Sequence, residues 1–371
     1  MKVLMTADAV GGVWTYVVEL AKALLPLDIE VVVAVKGGQR LSADQRAAAR
    51  LANVRLFESA FKLEWQDDPW DDLVRSAQWL LGLEAQLNPD VIHLNDFCHG
   101  DLPFRAPVMV VGHSCVVSWW EAVKRTELPP QWHRYRNAVR AGIRGADAVV
   151  APSAAMLEAL ERHYGPLPFA RVIYNGRALE GAEPVGPRKQ LVLAAGRIWD
   201  EAKNVTQLSK IASRVPWPVA VAGETRGLAL PGVKKLGPLK PEELAVWLKR
   251  AAIYALPCRY EPFGLSILEA ALAGCALVVG DIPSQRELWC GAAELVPPDD
   301  PEALAASLQR LTRDGPLRTA MAAAARRRAS RYAPDRMAAG YANLYLELIR
   351  RAHGRFPEAS ASPAPQVEAT L

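Results

Sequence analysis

Short runs of β-branched and small apolar residues alternate with longer amphipathic segments along almost the whole chain, and this alternation most constrains the fold. The first run, Lys2–Ala7, leads through Gly11-Gly12 into a helical segment, Trp14–Leu25. Several runs are apolar throughout, which is typical of parallel strands that are covered on both faces. Strands separated by helices predict βαβ units in a parallel sheet.

The alternation stops at a polar stretch that contains proline and glycine, 179–189, and then starts again. Before this stretch, further strands are predicted at 29–36, 53–57, 90–95, 107–113, 147–153 and 171–175; after it, strands are predicted at 191–196, 219–223, 253–257, 276–281 and 294–296. A chain of 371 residues exceeds one ordinary core. The pattern therefore predicts an α/β protein with two doubly wound, Rossmann-like domains that face a central cleft.

We assign residues 1–178 to an N-terminal domain and 187–334 to a C-terminal domain. A basic helix is expected at about 318–332. The helical segment that follows, about 335–352, is expected to pack back on the N-terminal domain. The last residues, 355–371, are rich in Ala, Ser, Pro and Glu without periodicity, and a disordered tail is expected there.

Composition excludes several classes of function. The net charge of +4 is small and dispersed, and neither an RNA-binding aromatic signature nor zinc-finger spacing is present, so we expect no nucleic-acid partner. The five cysteines are scattered and never spaced as C-x-x-C, which predicts free, buried thiols in a reducing compartment. No signal peptide or apolar stretch of about 20 residues is present. A cytoplasmic protein is therefore expected.

The most informative stretch begins at Glu261 and reads EPFGLSILEAALAG. It predicts a loop and then a helix from about Leu265, with the N–H groups of Leu265 and Ser266 free to point into the cleft. A helix N-terminus carries about half a positive charge and unpaired donors, which suits a diphosphate. Glu261 in the loop and Glu269 on the helix can both face one ligand that is anionic in its middle and rich in hydroxyls at its ends. From spacing alone, two solvated glutamates are an equally good interpretation.

The Glu-x7-Glu spacing in this stretch strongly resembles the signature of glycosyltransferase family 4, retaining enzymes of GT-B fold. The resemblance covers nearly the whole chain. Its other elements are the opening MTADAVGGVWTYVVELAKAL, the strand ending VVGHS, Ala151-Pro-Ser153, Tyr174-Asn-Gly176, Gly196-Arg197 and Glu294-Leu-Val-Pro-Pro. Each element is weak alone, but their order and spacing together are specific. The resemblance implies transfer of a sugar from a nucleotide-sugar donor to the hydroxyl of an unidentified small-molecule, glycan or lipid acceptor.

The resemblance implies that domain 1–178 binds the acceptor and domain 187–334 binds the nucleotide sugar. It also assigns roles to residues of the C-terminal half. Glu261 is expected to bond hydroxyls of the donor sugar, and Glu269 those of the ribose. Arg197 and Lys203 are expected to pair with the diphosphate, in place of a divalent metal. Backbone N–H groups complete the donor site; they belong to Phe263, Gly264, Leu265 and Ser266. No cofactor and no metal are expected, because no Asp-x-Asp motif follows a strand and no His/Cys cluster has ligand spacing.

Two departures from the family pattern concern the same half of the chain. Lys203 lies six residues after Arg197, one more than the family has, and we expect a small bulge to absorb the extra residue. Arg177 follows Asn175-Gly176, where the family commonly has an aspartate two residues after the glycine. We expect this second departure to affect the linker and not the chemistry.

The N-terminal half contributes a glycine pair and a histidine. Gly12 resembles the family loop that meets the diphosphate, and Gly11 is assigned to the acceptor side. His113 ends a predicted strand; the family pattern puts a histidine here against the reacting sugar, so we count it as catalytic with Glu261, Arg197 and Lys203. Asp96 and His99 follow the 90–95 strand and are weaker candidates for the acceptor side.

The segment 118–144 interleaves aromatic and basic side chains. Trp119, Trp120 and Lys124 are candidates for binding the acceptor, because aromatic faces stack on sugar rings and cations hold phosphate or carboxylate. Two alternatives remain open: a surface helix with half-buried aromatic side chains, and a basic amphipathic face that contacts anionic lipid at the inner face of the membrane.

Other functions fit the same fold. A nucleotide-sugar 2-epimerase or a sugar phosphorylase shares the two sheets, although Glu-x7-Glu with Arg197 fits transfer better. A non-catalytic nucleotide-sugar-binding protein would have a decayed site, against which Glu261 and Glu269 argue. An NAD-dependent oxidoreductase lacks support, because no Gly-x-Gly-x-x-Gly follows either first strand.

Overall fold

The structure is a computed structural model that describes residues 1–9, 11–179 and 188–355. Most of the predicted polar stretch between the domains lies outside the described residues. The predicted tail, 355–371, also lies outside them except for Arg355, where the last helix ends.

The N-terminal domain has a parallel sheet with the strand order β3-β2-β1-β4-β5-β6-β7 within the described residues. Its strands are β1 (Lys2–Asp8), β2 (Glu30–Lys36), β3 (Arg55–Glu58), β4 (Val91–Leu94), β5 (Val108–Val111), β6 (Ala148–Ala151) and β7 (Ala170–Val172). Helices pack on both faces: α1 (Gly12–Leu24), α2 (Ala43–Leu51), α3 (Trp70–Leu87), α4 (Val116–Val123), α5 (His133–Gly145) and α6 (Ala154–Tyr164). The order of strands reverses between β1 and β4, and a crevice for ligands opens beyond the carboxyl ends of strands at such a point.

The C-terminal domain repeats this architecture, with the order β10-β9-β8-β11-β12-β13 among its described residues. Its strands are β8 (Lys189–Ala195), β9 (Val219–Ala222), β10 (Val233–Lys235), β11 (Ala251–Leu256), β12 (Ala276–Gly280) and β13 (Glu294–Val296). Its helices are α7 (Thr206–Ile211), α8 (Pro241–Arg250), α9 (Leu265–Leu272), α10 (Pro283–Trp289), α11 (Pro301–Arg313) and α12 (Gly315–Ala329). The switch in strand order lies between β8 and β11. Two doubly wound parallel sheets were predicted, and this prediction is confirmed.

Two elements of this domain differ from the prediction. Strand β10 was missed because it is a three-residue edge strand, Val-Lys-Lys, without an apolar run. Helix α12 begins three residues before the predicted basic helix. Its start is fixed by Asp314, whose side chain accepts a hydrogen bond from the N–H of Leu317 at 2.8 Å.

Helix α13 (Pro334–Arg355) leaves the C-terminal domain and packs against α1 of the N-terminal domain. Its apolar face is buried in the same core as α1 and includes Met337, Tyr341, Leu344, Tyr345 and Leu348. The hydroxyl of Tyr345 lies 2.6 Å from Nδ1 of His93 on β4. The chain thus crosses between the two domains twice, at the linker around Arg177 and at Ala333, and both crossings lie side by side.

Candidate active site

The loop between β11 and α9 turns sharply at Gly264. Gly264 has φ of +92°, a left-handed conformation that favours glycine, and a Cβ there would lie 2.8 Å from Cδ1 of Ile267 and 3.2 Å from Cγ of Glu261. No side chain caps the helix that follows. The N–H groups of Leu265 and Ser266 have no hydrogen-bond acceptor among the described residues. They are therefore available to an anion at the start of α9.

Two cations lie beside this loop. Lys203 forms an ion pair with Glu261, and both side chains are mostly buried. Arg197 pairs with Asp200 at 3.1 Å while 46% of its side chain stays exposed. The segment between Arg197 and Lys203 accommodates its extra residue in a 3₁₀ turn, Glu201–Lys203, and not in the expected bulge. Asp200 caps this turn by accepting a hydrogen bond from the N–H of Ala202 at 3.0 Å. Lys203 therefore reaches Glu261 despite the longer segment.

Glu269 lies one turn into α9, but its carboxylate is not free. Oε1 accepts a hydrogen bond from Nε of Arg177 at 2.8 Å, and Nη1 of Arg177 donates to Oε2 of Glu19 on α1 at 2.6 Å. Burial raises the pKa of Glu269, and the neighbouring guanidinium of Arg177 opposes this rise. The expectation that Arg177 concerns only the linker was wrong. Arg177 contacts the carboxylate that was assigned to the ribose.

The glycine pair of the N-terminal domain faces the cations and the helix of the C-terminal domain. A Cβ on Gly11 would lie 3.6 Å from Nη1 of Arg197, and a Cβ on Gly12 would lie 3.8 Å from Cδ1 of Leu265. Gly11 has φ of +91°. The structure therefore brings Gly11, Gly12, Arg197 and the start of α9 together across the cleft, as the sequence predicted.

His113 is half-buried just after β5 and is held by two neighbours. Its Nε2 lies 2.8 Å from Oδ1 of Asn95, and its ring contacts that of Tyr16 edge-on, with 4.5 Å between centroids. Because Nδ2 of Asn95 donates to the carbonyl of Thr6 at 2.6 Å, Oδ1 must accept, so Nε2 of His113 carries the proton. Burial lowers the pKa of His113 to about 3. The ring is neutral, with a lone pair on Nδ1.

Asp96 and His99 are buried inside the N-terminal domain, which corrects their assignment to the acceptor side. Asp96 accepts hydrogen bonds from Thr6 at 2.8 Å and pairs with Lys36 at 3.0 Å and with His99 at 2.7 Å. His99 is only 1% exposed. Although burial opposes ionisation, Lys36 and His99 hold the pKa of Asp96 well below its usual range. Their role in this conformation is to fix the ends of β2 and β4.

Glu64 is a further ionisable residue of this network, and it was not anticipated from the sequence. Its carboxylate accepts hydrogen bonds from the N–H groups of Phe97 at 3.0 Å and Cys98 at 2.7 Å. Burial, followed by the neighbouring charge of Asp96, raises the pKa of Glu64 to about 7. Glu64 precedes α3 in an irregular segment, where no periodic pattern could indicate its burial.

The first part of the aromatic and basic segment contacts the C-terminal domain. Nε1 of Trp119 donates to Asp200 at 3.2 Å, and Lys124 pairs with Glu201 at 2.6 Å. Both partners belong to the turn that carries Lys203. The polar groups of Trp119 and Lys124 are thus engaged across the domain boundary, and the assignment of these two residues to the acceptor stays a prediction.

Trp120, the third residue of this segment that was assigned to the acceptor, borders an open groove. Its Nε1 donates to Thr126 at 3.1 Å, and it borders a groove of about 490 Å³ together with Arg125 and His163. Tyr135 is buried, and the ring of Trp132 packs edge-on against it. This packing agrees in part with the alternative of a surface helix that has half-buried aromatic side chains.

Tyr260 was not anticipated and connects the two halves of the site. Its hydroxyl accepts hydrogen bonds from Ser114 at 3.2 Å and from the N–H of Cys115 at 3.3 Å, and it lies 2.8 Å from the hydroxyl of Ser118. Tyr260 immediately precedes Glu261, so the start of α4 is held directly against the loop between β11 and α9. In the sequence, only its position next to Glu261 could have indicated that Tyr260 belongs to the site.

Within the described residues, no group of three or more His, Cys, Asp or Glu side chains is arranged to hold a metal ion. Likewise, none of the helices in the described ranges combines the length and apolarity needed to cross a bilayer.

Comparison with known proteins agrees with this geometry. Residues 10–180 match the family described as Glycosyltransferase Family 4, and residues 181–328 match the one described as Glycosyl transferases group 1. A D-inositol 3-phosphate glycosyltransferase of Streptomyces bingchenggensis is 26% identical to this chain over 396 residues, covering 93% of this chain and 86% of the relative.

Solved structures show the same fold. Sucrose-phosphate synthase from Thermosynechococcus elongatus superposes with a TM-score of 0.79 at 18% identity, covering 95% of this chain and all of the other. The Anabaena protein HepE in complex with UDP-glucose has a TM-score of 0.73 at 18% identity, covering 94% of this chain and all of the other. The predicted GT-B fold and the predicted family are thereby confirmed: the chain belongs to glycosyltransferase family 4.

Proposed function

We propose that this glycosyltransferase moves a hexose from a nucleotide-sugar donor to an acceptor hydroxyl with retention of configuration and without a metal or other cofactor. The observation that carries the proposal is the grouping around the start of α9. Two cations, Arg197 and Lys203, and two carboxylates, Glu261 and Glu269, surround free helix N–H groups. Cations and free N–H groups suit a diphosphate, and carboxylates suit the hydroxyls on either side of it.

The reaction breaks the bond between the sugar carbon and the diphosphate oxygen, so negative charge develops on the departing nucleoside diphosphate. Arg197, Lys203 and the N–H groups of Leu265 and Ser266 are placed to stabilise that charge. One fixed donor of this kind is worth about 3–4 kcal/mol in a cleft that excludes water. With two side-chain cations in this position, the site does not need a divalent ion.

Retention follows if the acceptor hydroxyl attacks from the face that the diphosphate leaves. The departing phosphate oxygen then takes the acceptor proton, and no separate protein base is required. His113 supports this route because its ring is neutral: Nδ1 can accept a hydrogen bond from a donor-sugar hydroxyl without adding charge at the reacting carbon.

The acceptor is proposed as a hydroxyl compound that enters from the side of the N-terminal domain. The first compound to test is D-inositol 3-phosphate, because the relative of Streptomyces bingchenggensis is named for that acceptor. The first donor to test is UDP-glucose, since HepE was solved with it.

Thermal unfolding in the presence of UDP, GDP, ADP and their common sugar conjugates tests the donor site. A ligand that binds only the folded state raises Tm with the logarithm of its concentration over Kd. We expect one nucleotide family to raise Tm and the variant Glu269→Ala to lose most of that rise. If none of these nucleotides changes Tm, the proposed donor site is wrong.

Product formation in the presence of EDTA tests the role of metal. With the donor that raises Tm, we expect turnover to continue at an unchanged rate after chelation. Loss of turnover that Mg²⁺ or Mn²⁺ restores would contradict metal independence. Analysis of the anomeric configuration of the product by NMR tests retention in the same samples.

A further inference from the structure

Arg177 lies where the linker, the N-terminal domain and the nucleotide side of the C-terminal domain meet. Its guanidinium bridges two carboxylates: Nε donates to Glu269 at 2.8 Å and Nη1 donates to Glu19 at 2.6 Å. The three side chains are only 19%, 13% and 9% exposed for Arg177, Glu269 and Glu19. Charge-assisted hydrogen bonds between mostly buried groups are strong and directional. Glu269 is therefore held in one orientation by a residue from outside its own domain.

The bridge occupies one oxygen of Glu269 and leaves the other available. Oε1 accepts from Arg177, whereas Oε2 has no hydrogen-bond partner among the described residues. Burial alone would favour the protonated acid, which accepts poorly, and the positive charge of Arg177 opposes protonation. A carboxylate that is held in one orientation, with one oxygen free to accept, can bind a ribose hydroxyl.

The backbone that carries Arg177 is itself fixed. The N–H of Arg177 donates to the carbonyl of Tyr332 at 3.1 Å, and the N–H of Ala178 donates to Glu19 at 3.2 Å. A Cβ on Gly176 would lie 2.6 Å from the carbonyl oxygen of Ala333, so the linker is packed directly on the second domain crossing. The position of the guanidinium therefore depends on how the two domains are arranged.

We propose that Arg177 is a positioning residue for the donor nucleotide: it orients Glu269 toward the ribose hydroxyls and, through Glu19, makes this orientation depend on the closed arrangement of the two domains. The proposal rests on the proposed function, because it assumes that the nucleotide of the donor binds beside α9. It predicts that a substitution at Arg177 weakens the binding of the ribose part of the ligand and leaves the binding of its phosphates unchanged.

Binding measurements with matched ligands test this role. The ligands are the nucleoside diphosphate that binds the wild type (UDP, GDP or ADP), its 2′-deoxy form, and inorganic pyrophosphate. In Arg177→Lys we expect affinity for the nucleoside diphosphate to fall about tenfold, since the lysine cannot bridge both carboxylates and one charge-assisted hydrogen bond is lost. Affinity for pyrophosphate should not change. The substitution should reduce affinity for the 2′-deoxy ligand much less than affinity for the ribose form, because one hydroxyl that would donate to Glu269 is already missing.

A pH series separates positioning from a purely structural effect. Without a positive charge at position 177, protonation of Glu269 becomes easier, so the affinity of Arg177→Ala for the nucleotide should decline more steeply than that of the wild type as pH falls from 8 to about 5.5. Arg177→Lys keeps the charge and should follow the wild-type pH profile. Arg188→Lys is the matched control. Arg188 is also partly buried, but it donates to backbone carbonyls of Leu248 at 3.3 Å and Ala251 at 2.7 Å, away from Glu269.

The outcomes are distinguishable. If the wild type binds none of the three nucleoside diphosphates, the proposed function fails before Arg177 is tested. If the wild type binds one and Arg177→Lys binds it equally well, the positioning role is overturned. Equal losses for ribose, 2′-deoxy and pyrophosphate ligands would also overturn it. Should Arg177→Ala fail to fold, because two carboxylates are left unpaired, Arg177→Lys with the ligand series still decides.

Discussion

Gly11 of the N-terminal domain lies directly against Arg197 of the C-terminal domain, so that a Cβ at position 11 would stand 3.6 Å from Nη1 of the guanidinium. Arg197 is bonded on its other side to Asp200 at 3.1 Å. The space between the domains is therefore narrow where the proposed diphosphate must pass. A glycine allows the backbone to approach a ligand closely at this point, and its φ of +91° is one that other residues rarely adopt.

Substitution of Gly11 by alanine tests this approach. We expect Gly11→Ala to raise KM for the donor by about tenfold or more, because the added carbon narrows the space beside Arg197. The backbone of Gly11, with φ of +91° and ψ of −153°, is one that other residues rarely adopt, so the substitution should also cost about 1–3 kcal/mol of stability. Gly227→Ala is the matched control. Gly227 has φ of +80° with no atom within 4 Å of an added Cβ, so it should lose similar stability with an unchanged KM. An equal change in KM for both variants would contradict the close approach.

The pair formed by Lys203 and Glu261 leads to a second prediction. Lys203→Met should lower kcat/KM by about 10²–10³-fold, because it removes a cation from the departing diphosphate and leaves Glu261 without its partner. Lys240→Met is the control: Lys240 pairs with Asp44 at 2.9 Å on the surface, with both side chains more than 60% exposed. Steady-state kinetics with the donor varied provide the measurement. If Lys203→Met keeps full kcat/KM, the assignment of Lys203 to the diphosphate is wrong.

The two sheets could be predicted from the sequence because most strands are apolar throughout, and their observed ends lie within two residues of most predicted ends. The start of α9 could also be predicted, since Pro262 and Gly264 mark it. The missed features are those that depend on pairing between distant segments. Nothing near Arg177 shows that it lies beside Glu269, 92 positions along the chain.

The buried charges of the N-terminal domain were missed for the same physical reason. Asp96 follows a strand, a position that usually faces a cleft, and the sequence could not show that Lys36 lies 3.0 Å away at the end of β2. The strand order places β1 between β2 and β4, so these two strand ends approach each other over β1. Such proximity becomes visible only once the pairing of strands is known.

The neutral state of His113 gives a third prediction. Because burial lowers its pKa to about 3, His113 should not change charge between pH 5 and 8, and its ring signals in NMR should not titrate there. Asn95→Asp places a negative charge 2.8 Å from Nε2 and should raise the pKa of His113. In that variant we expect the ring to titrate and kcat to become pH-dependent in this range. A wild-type His113 that titrates near pH 6.5 would contradict the neutral ring.

Glu64 gives the last prediction, which concerns stability. Burial and the charge of Asp96 raise the pKa of Glu64 from 4.5 to about 7. The folded state therefore holds a proton that the unfolded state releases near pH 4.5. The stability that this proton contributes is fully present below pH 4.5 and is lost as pH rises toward 7, so the contribution of Glu64 to the free energy of unfolding should decrease over this window.

Urea unfolding of the wild type and of Glu64→Gln between pH 4.5 and 8 measures this contribution. The amide oxygen of glutamine can take the place of Oε2, which accepts from both Phe97 and Cys98, so the hydrogen bonds are retained while the titration is removed. We expect the variant to gain stability relative to the wild type as pH rises. Glu58→Gln is the control: Arg46 lowers the pKa of Glu58 below 4.5, so its contribution is lost only below that pH, and the stability curve of this variant should run parallel to the wild type between pH 4.5 and 8. Parallel stability curves for the wild type and Glu64→Gln would show that Glu64 is already ionised in the fold at pH 5.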